Sequence, residues 1–307
     1  MKSEILTYSE LTENLIDINQ YLIDLNIIDI NSCKLFNDCV RDKKKTDLKN
    51  YNIKAYICTK SNVIFLKKKY SINNYYEKQN QNYWTWTTYN LFYDFERRSK
   101  YIEDIIKNKV WVDFGTGLGY MLKKMKNVYK KKYGIEVNKY CLDTLMAENI
   151  IVKEHINQID EKIDIITMFH VLEHIENPID ILNSFYNKLT DDGKIIIEIP
   201  HANDFMLTKI DNKEYKDFIL WDEHLVLHNE ESITKLLNFC NFEIIKFDYI
   251  QRYPLSNNLY WCNNKKPNGH SILNFLNNTD LHIVYEDTLK KGKCTDTIIL
   301  ICKKLLK

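Results

Sequence analysis

Over residues 5–28, Leu11, Leu15, Ile18, Leu22 and Leu25 recur at steps of three and four. That spacing lines one face and predicts a helix. Residues 53–66 alternate in part, with Ile53, Ala55 and Ile57, then Val63 and Phe65. Lys60-Ser61-Asn62 between them predicts the turn of a hairpin. Residues 75–98 are dense in aromatics, among them Tyr75, Trp84, Trp86, Phe92, Tyr93 and Phe95. Such a run suits a core or a lid over a planar ligand. From residue 109 the texture changes. Strands are expected over 110–114, 132–137, 150–153, 163–169, 194–199, 243–250 and 296–302. Helices are expected over 121–129, 139–148, 178–189 and after Asn229. Asn177 is the expected N-cap before Pro178. Asp191-Asp192-Gly193 turns into the strand that Pro200 stops. Strand–helix alternation of this kind implies a parallel sheet with helices on both faces. Residues 251–285 read as a polar and aromatic insertion.

Composition narrows the function classes. The chain has 307 residues, enough for one large domain or a core with a smaller extension. It carries 43 basic and 42 acidic side chains, a net charge of +1. A dedicated nucleic-acid binder carries a basic surplus, so none is expected here. No apolar run approaches the ~18 residues of a membrane span, and MKSEILTYSE lacks a leader pattern, so the cytoplasm is the expected location. Eight cysteines lie scattered. Cys33, Cys39 and Cys58 cluster without Cys-x-x-Cys pairs, so reduced thiols and no metal centre are expected.

Glycine is scarce, and three of the seven fall in Asp113-Phe114-Gly115-Thr116-Gly117-Leu118-Gly119. The run follows an apolar strand and opens a helix. Glycines there permit a tight turn and close backbone approach to a ligand. The dinucleotide fingerprint G-x-G-x-x-G requires glycine at position 120, where this chain has Tyr120. The pattern present, acid-x-Gly-x-Gly-x-Gly, resembles motif I of class I S-adenosylmethionine-dependent methyltransferases. The likeness extends over roughly 75–302. Residues 164–175, ending in Leu172-Glu173-His174-Ile175, are similar to the family's fourth-strand motif. Residues 296–301 are similar to its closing antiparallel strand. Thr190-Asp191-Asp192-Gly193 departs from the usual Lys-Pro-Gly-Gly, keeping one glycine.

The resemblance implies an α/β, Rossmann-like, doubly wound fold. Its seven-stranded sheet would be mostly parallel with an antiparallel last strand, behind an N-terminal helical and hairpin extension. The expected division is 1–100 for the extension and 101–307 for the cofactor domain. It implies S-adenosylmethionine as cofactor and S-adenosylhomocysteine as product. Glu136 would accept the ribose hydroxyls. Asp113 would meet the ammonium or support the turn. Arg98, or Arg97, would pair with the methionine carboxylate. Gly115, Thr116, Gly117, Gly119, Val137, Phe169 and His170 complete the expected cofactor site.

Methyl transfer to oxygen needs positioning and a base, most often histidine. His170, His174 and His201 follow strand ends, and Glu223-His224 precedes the capped helix. His224, His170 and Glu223 are the expected catalytic residues. The Glu-His pair and the stretch 250–270 resemble methyltransferases found among bacterial surface-polysaccharide genes. That likeness implies a carbohydrate-linked small-molecule acceptor held by Arg252, Asn257, Trp261 and His270. Methylation of a phosphate-like group, C- or N-methylation of a sugar, and a non-catalytic cofactor-binding scaffold stay open.

Overall fold

The computed structural model describes residues 20–38, 54–66, 88–126 and 128–306. A short helix α1 (Gln20–Asp24) precedes strand β1 (Cys33–Asn37). Most of the helix expected over 5–28, Cys39, and the aromatic side chains from 75 to 92 lie outside the described residues. Strands β2 (Ala55–Cys58) and β3 (Ile64–Leu66) pair antiparallel, Ala55 opposite Leu66. Asn62 takes a φ of 57° in the turn, a conformation asparagine tolerates better than most residues. Cys33 faces Cys58 across β1 and β2, both as free thiols.

The main domain runs α2 (Thr88–Ile106), β4 (Val110–Phe114), α3 (Tyr120–Lys124), β5 (Lys131–Ile135), α4 (Lys139–Ala147), β6 (Val152–Lys153), β7 (Ile163–Phe169), α5 (Pro178–Lys188) and β8 (Leu189–Pro200). It continues through α6 (Phe205–Thr208), α7 (Lys213–Ile219), β9 (Val226–Leu227), α8 (Glu230–Phe239), β10 (Phe242–Ile250), α9 (Leu255–Asn264), α10 (Gly269–Ile272), α11 (Thr279–Lys291) and β11 (Thr297–Lys304). Seven strands form one sheet in the order β10-β11-β8-β7-β4-β5-β6. β4 pairs parallel with β5 and β7, as does β7 with β8, while β11 is antiparallel to both β8 and β10. This is the expected Rossmann-like sheet with its reversed last strand. The strands are apolar on both faces, as helices on both sides require. Val112, Ile166 and Ile197 point into one core, and their neighbours Trp111, Ile165 and Ile196 into the other.

Several local expectations are corrected. α3 ends at Lys124, well short of 129. Asn177 does occupy the N-cap of α5, as expected, but its side-chain amide donates to Asp180 and no side-chain bond caps a backbone N–H. β8 begins at Leu189: Ile163 faces Leu189 and Ile165 faces Lys194, so Thr190–Gly193 forms an irregularity within the strand. The insertion over 251–285 is largely helical. The division expected at 100/101 falls inside α2. The hairpin is joined to the main domain, because Phe65 of β3 pairs with Val226 of β9 and both strands share the core of Val112 and Ile166. Among the described residues no helix is long and apolar enough to cross a membrane.

Candidate active site

β4 delivers the chain into the glycine turn, where Gly115, Gly117 and Gly119 have φ of 71°, 55° and 69°. A Cβ on Gly115 would lie 2.5 Å from Val171 Cγ2, so only glycine fits between the turn and the loop after β7. Gly117 donates its N–H to Glu136 Oε2 at 2.7 Å. The other carboxylate oxygen accepts from Val137 and Asn138 N–H at 2.8 and 2.9 Å. Burial raises the Glu136 pKa, and the three amides oppose that rise. Asp113 accepts one hydroxyl on each oxygen, from Thr167 and Thr116, both at 2.8 Å. Burial pushes its pKa up to about 6, against the pull of those two hydroxyls.

A cavity of about 590 Å³ opens at the carboxyl ends of β4, β5 and β7. That volume lies in the range of small-molecule sites, and the place is where doubly wound sheets bind ligands. Asp113, Gly115, Thr116, Gly117, Glu136, Val137, Phe169, His170 and Arg98 all line it. Gly119 does not; it starts α3 and packs toward Leu145. Phe95 and Tyr120 stack at 5.0 Å and also line the cavity.

A charge network forms one wall. Glu198 of β8 is 0% exposed and accepts from both terminal nitrogens of Arg97, Nη1 and Nη2, at 2.8 and 2.9 Å. Arg98 donates Nε and Nη2 to Glu198 at 2.9 and 2.6 Å, and lies 5.0 Å over the Phe169 ring. Arg252 donates Nε to both Asp94 oxygens at 3.1 Å. Burial opposes ionisation of Glu198 and Asp94, yet the arginine charges outweigh it and hold both carboxyls below their ordinary range. Arg252 Nη1 lies 3.0 Å from His170 Nε2, and His170 Nδ1 lies 3.1 Å from Glu173 Oε1. A guanidinium can only donate, so Nε2 accepts and the ring proton sits on Nδ1, facing Glu173. Glu198 Oε1 is the more distant neighbour of Nε2, at 3.3 Å. His170 holds a φ of 53°, unusual for a side chain this large.

The remaining candidates separate. Glu223, His174 and Trp221 line the main cavity. His224 does not appear on its wall; its Nδ1 is tied to the Ile219 carbonyl at 2.9 Å and its ring lies 5.0 Å from that of His174. His201 is buried behind β8, its Nδ1 2.9 Å from the Thr295 carbonyl, and burial lowers its pKa to about 4. It does not line the main cavity. Arg252 was read as an acceptor clamp, and here it is held by Asp94. His270 lines a smaller outer cavity of about 150 Å³ with Tyr93, Tyr253 and His282; Asp94 and Arg252 belong to both walls. Trp261 is 3% exposed and packs against Tyr215 and Phe218. Asn257 is buried on the same helix. Neither lines the main or the outer cavity, against the expectation that they contact the acceptor: α9 turns both inward to pack.

Sequence reasoning missed Asp94, Glu198, Glu173 and the Phe95–Tyr120 pair. Glu198 carried a signal: a single acid inside an otherwise apolar strand needs a buried partner.

Residues 83–246, more than half of the chain, match the family model described as "Methyltransferase domain", and the chain belongs to this family. Residues 83–246 thus form a methyltransferase domain of the S-adenosylmethionine-dependent class. The chain is 33% identical over 135 residues to the ubiquinone biosynthesis O-methyltransferase of Glaesserella parasuis serovar 5 (strain SH0165). That match covers 40% of this chain and 53% of the relative, so the chain spans about half the length of the curated protein it matches. Among solved structures, a SAM-dependent methyltransferase from Archaeoglobus fulgidus aligns with a TM-score of 0.48 and 16% identity, over 69% of this chain and 93% of that one. The plantazolicin methyltransferase BpumL, solved with a pentazolic desmethylPZN analog and SAH, aligns with a TM-score of 0.46 and 17% identity, over 73% and 89%.

Proposed function

We propose that this chain is a cytoplasmic O-methyltransferase acting on a small hydroxylated acceptor of the sugar or nucleotide-sugar class, as in surface-polysaccharide synthesis. The observation that carries this reading is the polar wall beside the cofactor cavity. There, His170 presents an Nε2 lone pair next to Arg252 and Asp94, which also line the outer cavity. Aromatic faces at Tyr93 and Tyr253, with charged and amide groups between them, suit a saccharide. The O-methyltransferase name of the Glaesserella parasuis relative supports transfer to oxygen.

Bound S-adenosylmethionine supplies an electrophilic methyl on a sulfonium. In our assignment, Glu136 accepts the ribose hydroxyls on acceptor positions its three backbone N–H donors leave open. Asp113 receives the ammonium, Arg98 the carboxylate, and the Phe95–Tyr120 pair closes one side of the site. His170 accepts a hydrogen bond from the acceptor hydroxyl, displacing Arg252 from Nε2. Holding that oxygen in line with the methyl is the main catalytic contribution.

The acceptor class is tested by radiolabelled methyl transfer to a panel of nucleotide sugars, free sugars and polyhydroxylated aromatics. Labelled, base-stable ether product from a sugar acceptor is expected. His170→Ala should lower kcat about 100-fold, within the range for one positioned group, while leaving cofactor affinity within about threefold. Exclusive labelling of nitrogen or carbon, or of aromatics alone, would reject the reading.

Asp113 gives a pH test. Its folded pKa of about 6 lies above the ordinary 3.8, so ionising it costs stability; its contribution to stability falls as pH rises from about 4 to 6. The same ionisation is required to receive an ammonium. Affinity for S-adenosylmethionine should therefore weaken below pH 6, by up to about tenfold per unit. Asp113→Asn should flatten that profile. Calorimetric titrations between pH 5 and 7.5 that show no slope in the wild type would remove Asp113 from this role.

A further inference from the structure

The loop after β7 and the loop before β9 meet beside His170. We propose that Glu173, His174 and His224, on these two loops, bind one divalent transition-metal ion at the edge of the acceptor cavity. One ligand atom from each residue lies within 4.8 Å of the others. Metal–ligand bonds of about 2.0–2.2 Å would draw them together through small side-chain rotations.

Three observations support the site. First, both imidazoles are oriented by the backbone. His174 Nδ1 lies 2.8 Å from the Glu223 carbonyl and His224 Nδ1 2.9 Å from the Ile219 carbonyl. A carbonyl only accepts, so each ring proton sits on Nδ1 and each Nε2 carries the lone pair. Metal-binding histidines are held in this way by a carbonyl behind the ring. Second, Glu173 is 2% exposed, and among the described residues its Oε2 has no hydrogen-bond partner. A buried carboxylate oxygen left so is costly, and a cation removes the cost. Third, the backbone holds the two loops in register. Leu225 donates its N–H to the Glu173 carbonyl across the two loops at 2.8 Å, while His224 closes a turn within its own loop by donating to the Trp221 carbonyl at 2.9 Å.

Two imidazoles and one carboxylate suit zinc, manganese or iron better than magnesium or calcium. Three protein ligands leave a coordination position open, as in metal sites that act on substrates. His174 lines the main cavity, so that position is within reach of an acceptor there. The catalytic role, unlike the binding, rests on the O-methyl reading above. An acceptor hydroxyl bound to the ion loses its proton to solvent water more readily. Its oxygen lone pair forms the new C–O bond as the sulfonium C–S bond breaks, and that bond's electron pair returns to sulfur.

The test uses the full chain, stripped with a chelator and titrated calorimetrically with Zn²⁺ or Mn²⁺ alone. One ion per chain is expected. His224→Ala, His174→Ala and Glu173→Gln should each weaken binding at least about tenfold. Circular dichroism and thermal melting of the same variants report that they are folded, so a variant that fails to fold is set aside and the others decide. Absence of ion binding by the wild type, or binding that all folded variants keep at full strength, overturns the proposal. Stoichiometric binding lost in the variants supports it, even if no hydroxyl acceptor is methylated; that second result counts against the O-methyl reading alone.

Discussion

Gly117→Arg is expected to weaken S-adenosylmethionine binding by more than about 100-fold, or about 2.7 kcal/mol. Gly117 sits at a φ of 55°, lines the cavity, and gives its N–H to Glu136 at 2.7 Å. A non-glycine residue in this left-handed conformation costs roughly 1–2 kcal/mol, which a domain of this size can survive. The larger effect is on the ligand. An arginine at this position would take up cavity space. It would also bring a cation beside Glu136 and Asp113, the two carboxylates assigned to the ribose and the ammonium. Gly117→Ala retains the backbone strain without the charge and length, and should weaken binding less. Calorimetric titration separates the two contributions, with circular dichroism confirming the fold. A folded Gly117→Arg protein that binds within tenfold of wild type would remove the glycine turn from the cofactor site.

That turn was legible because all its physics is local. An acid, three glycines, an apolar strand before and a helix after occur between Val110 and Lys124, and Tyr120 excludes the dinucleotide alternative on spacing alone. The parallel sheet was legible for a similar reason, since each strand is a short apolar run bounded by a helix. What could not be read depends on pairing across the chain. β9 is two residues long and gains its strand character only from Phe65 and Ile64 of the distant hairpin. Arg98 was read as a ligand for the cofactor carboxylate, and two of its nitrogens are given to Glu198. Asn257 and Trp261 have the composition of a sugar site, yet composition does not tell which way a helix turns. His224 was read as a base, and the structure instead ties it to a carbonyl beside His174. Its meaning comes from Glu173, which reads in sequence as an ordinary turn acid.

Glu198→Ala is expected to cost about 3–5 kcal/mol of stability, because it strips the carboxylate from buried Arg98 and takes two hydrogen bonds from half-buried Arg97. Arg97 and Arg98 together place four nitrogens on this one carboxylate, and Asp94 is already held by Arg252. Arg97 keeps one bond to Asp94, at 3.2 Å, so the loss falls mainly on Arg98, and the cavity left by the side chain adds to the cost. For a chain of this length the loss corresponds to a fall in Tm of roughly 10 °C. The pH dependence has a definite sign. The arginines hold the Glu198 pKa well below its ordinary 4.5, so its contribution is complete above that value and is lost as pH falls below it. Wild type and Glu198→Ala should therefore converge in Tm as the pH is lowered toward 3. Adding Arg98→Met to Glu198→Ala should recover part of the loss, since one unpaired buried charge is removed with its partner. The network also fixes Arg98 and the surroundings of His170, so activity should fall in Glu198→Ala even at temperatures where the protein is fully folded. A Tm within about 2 °C of wild type at pH 7 would show that the two arginines find other partners, and that the wall beside the cofactor does not depend on Glu198.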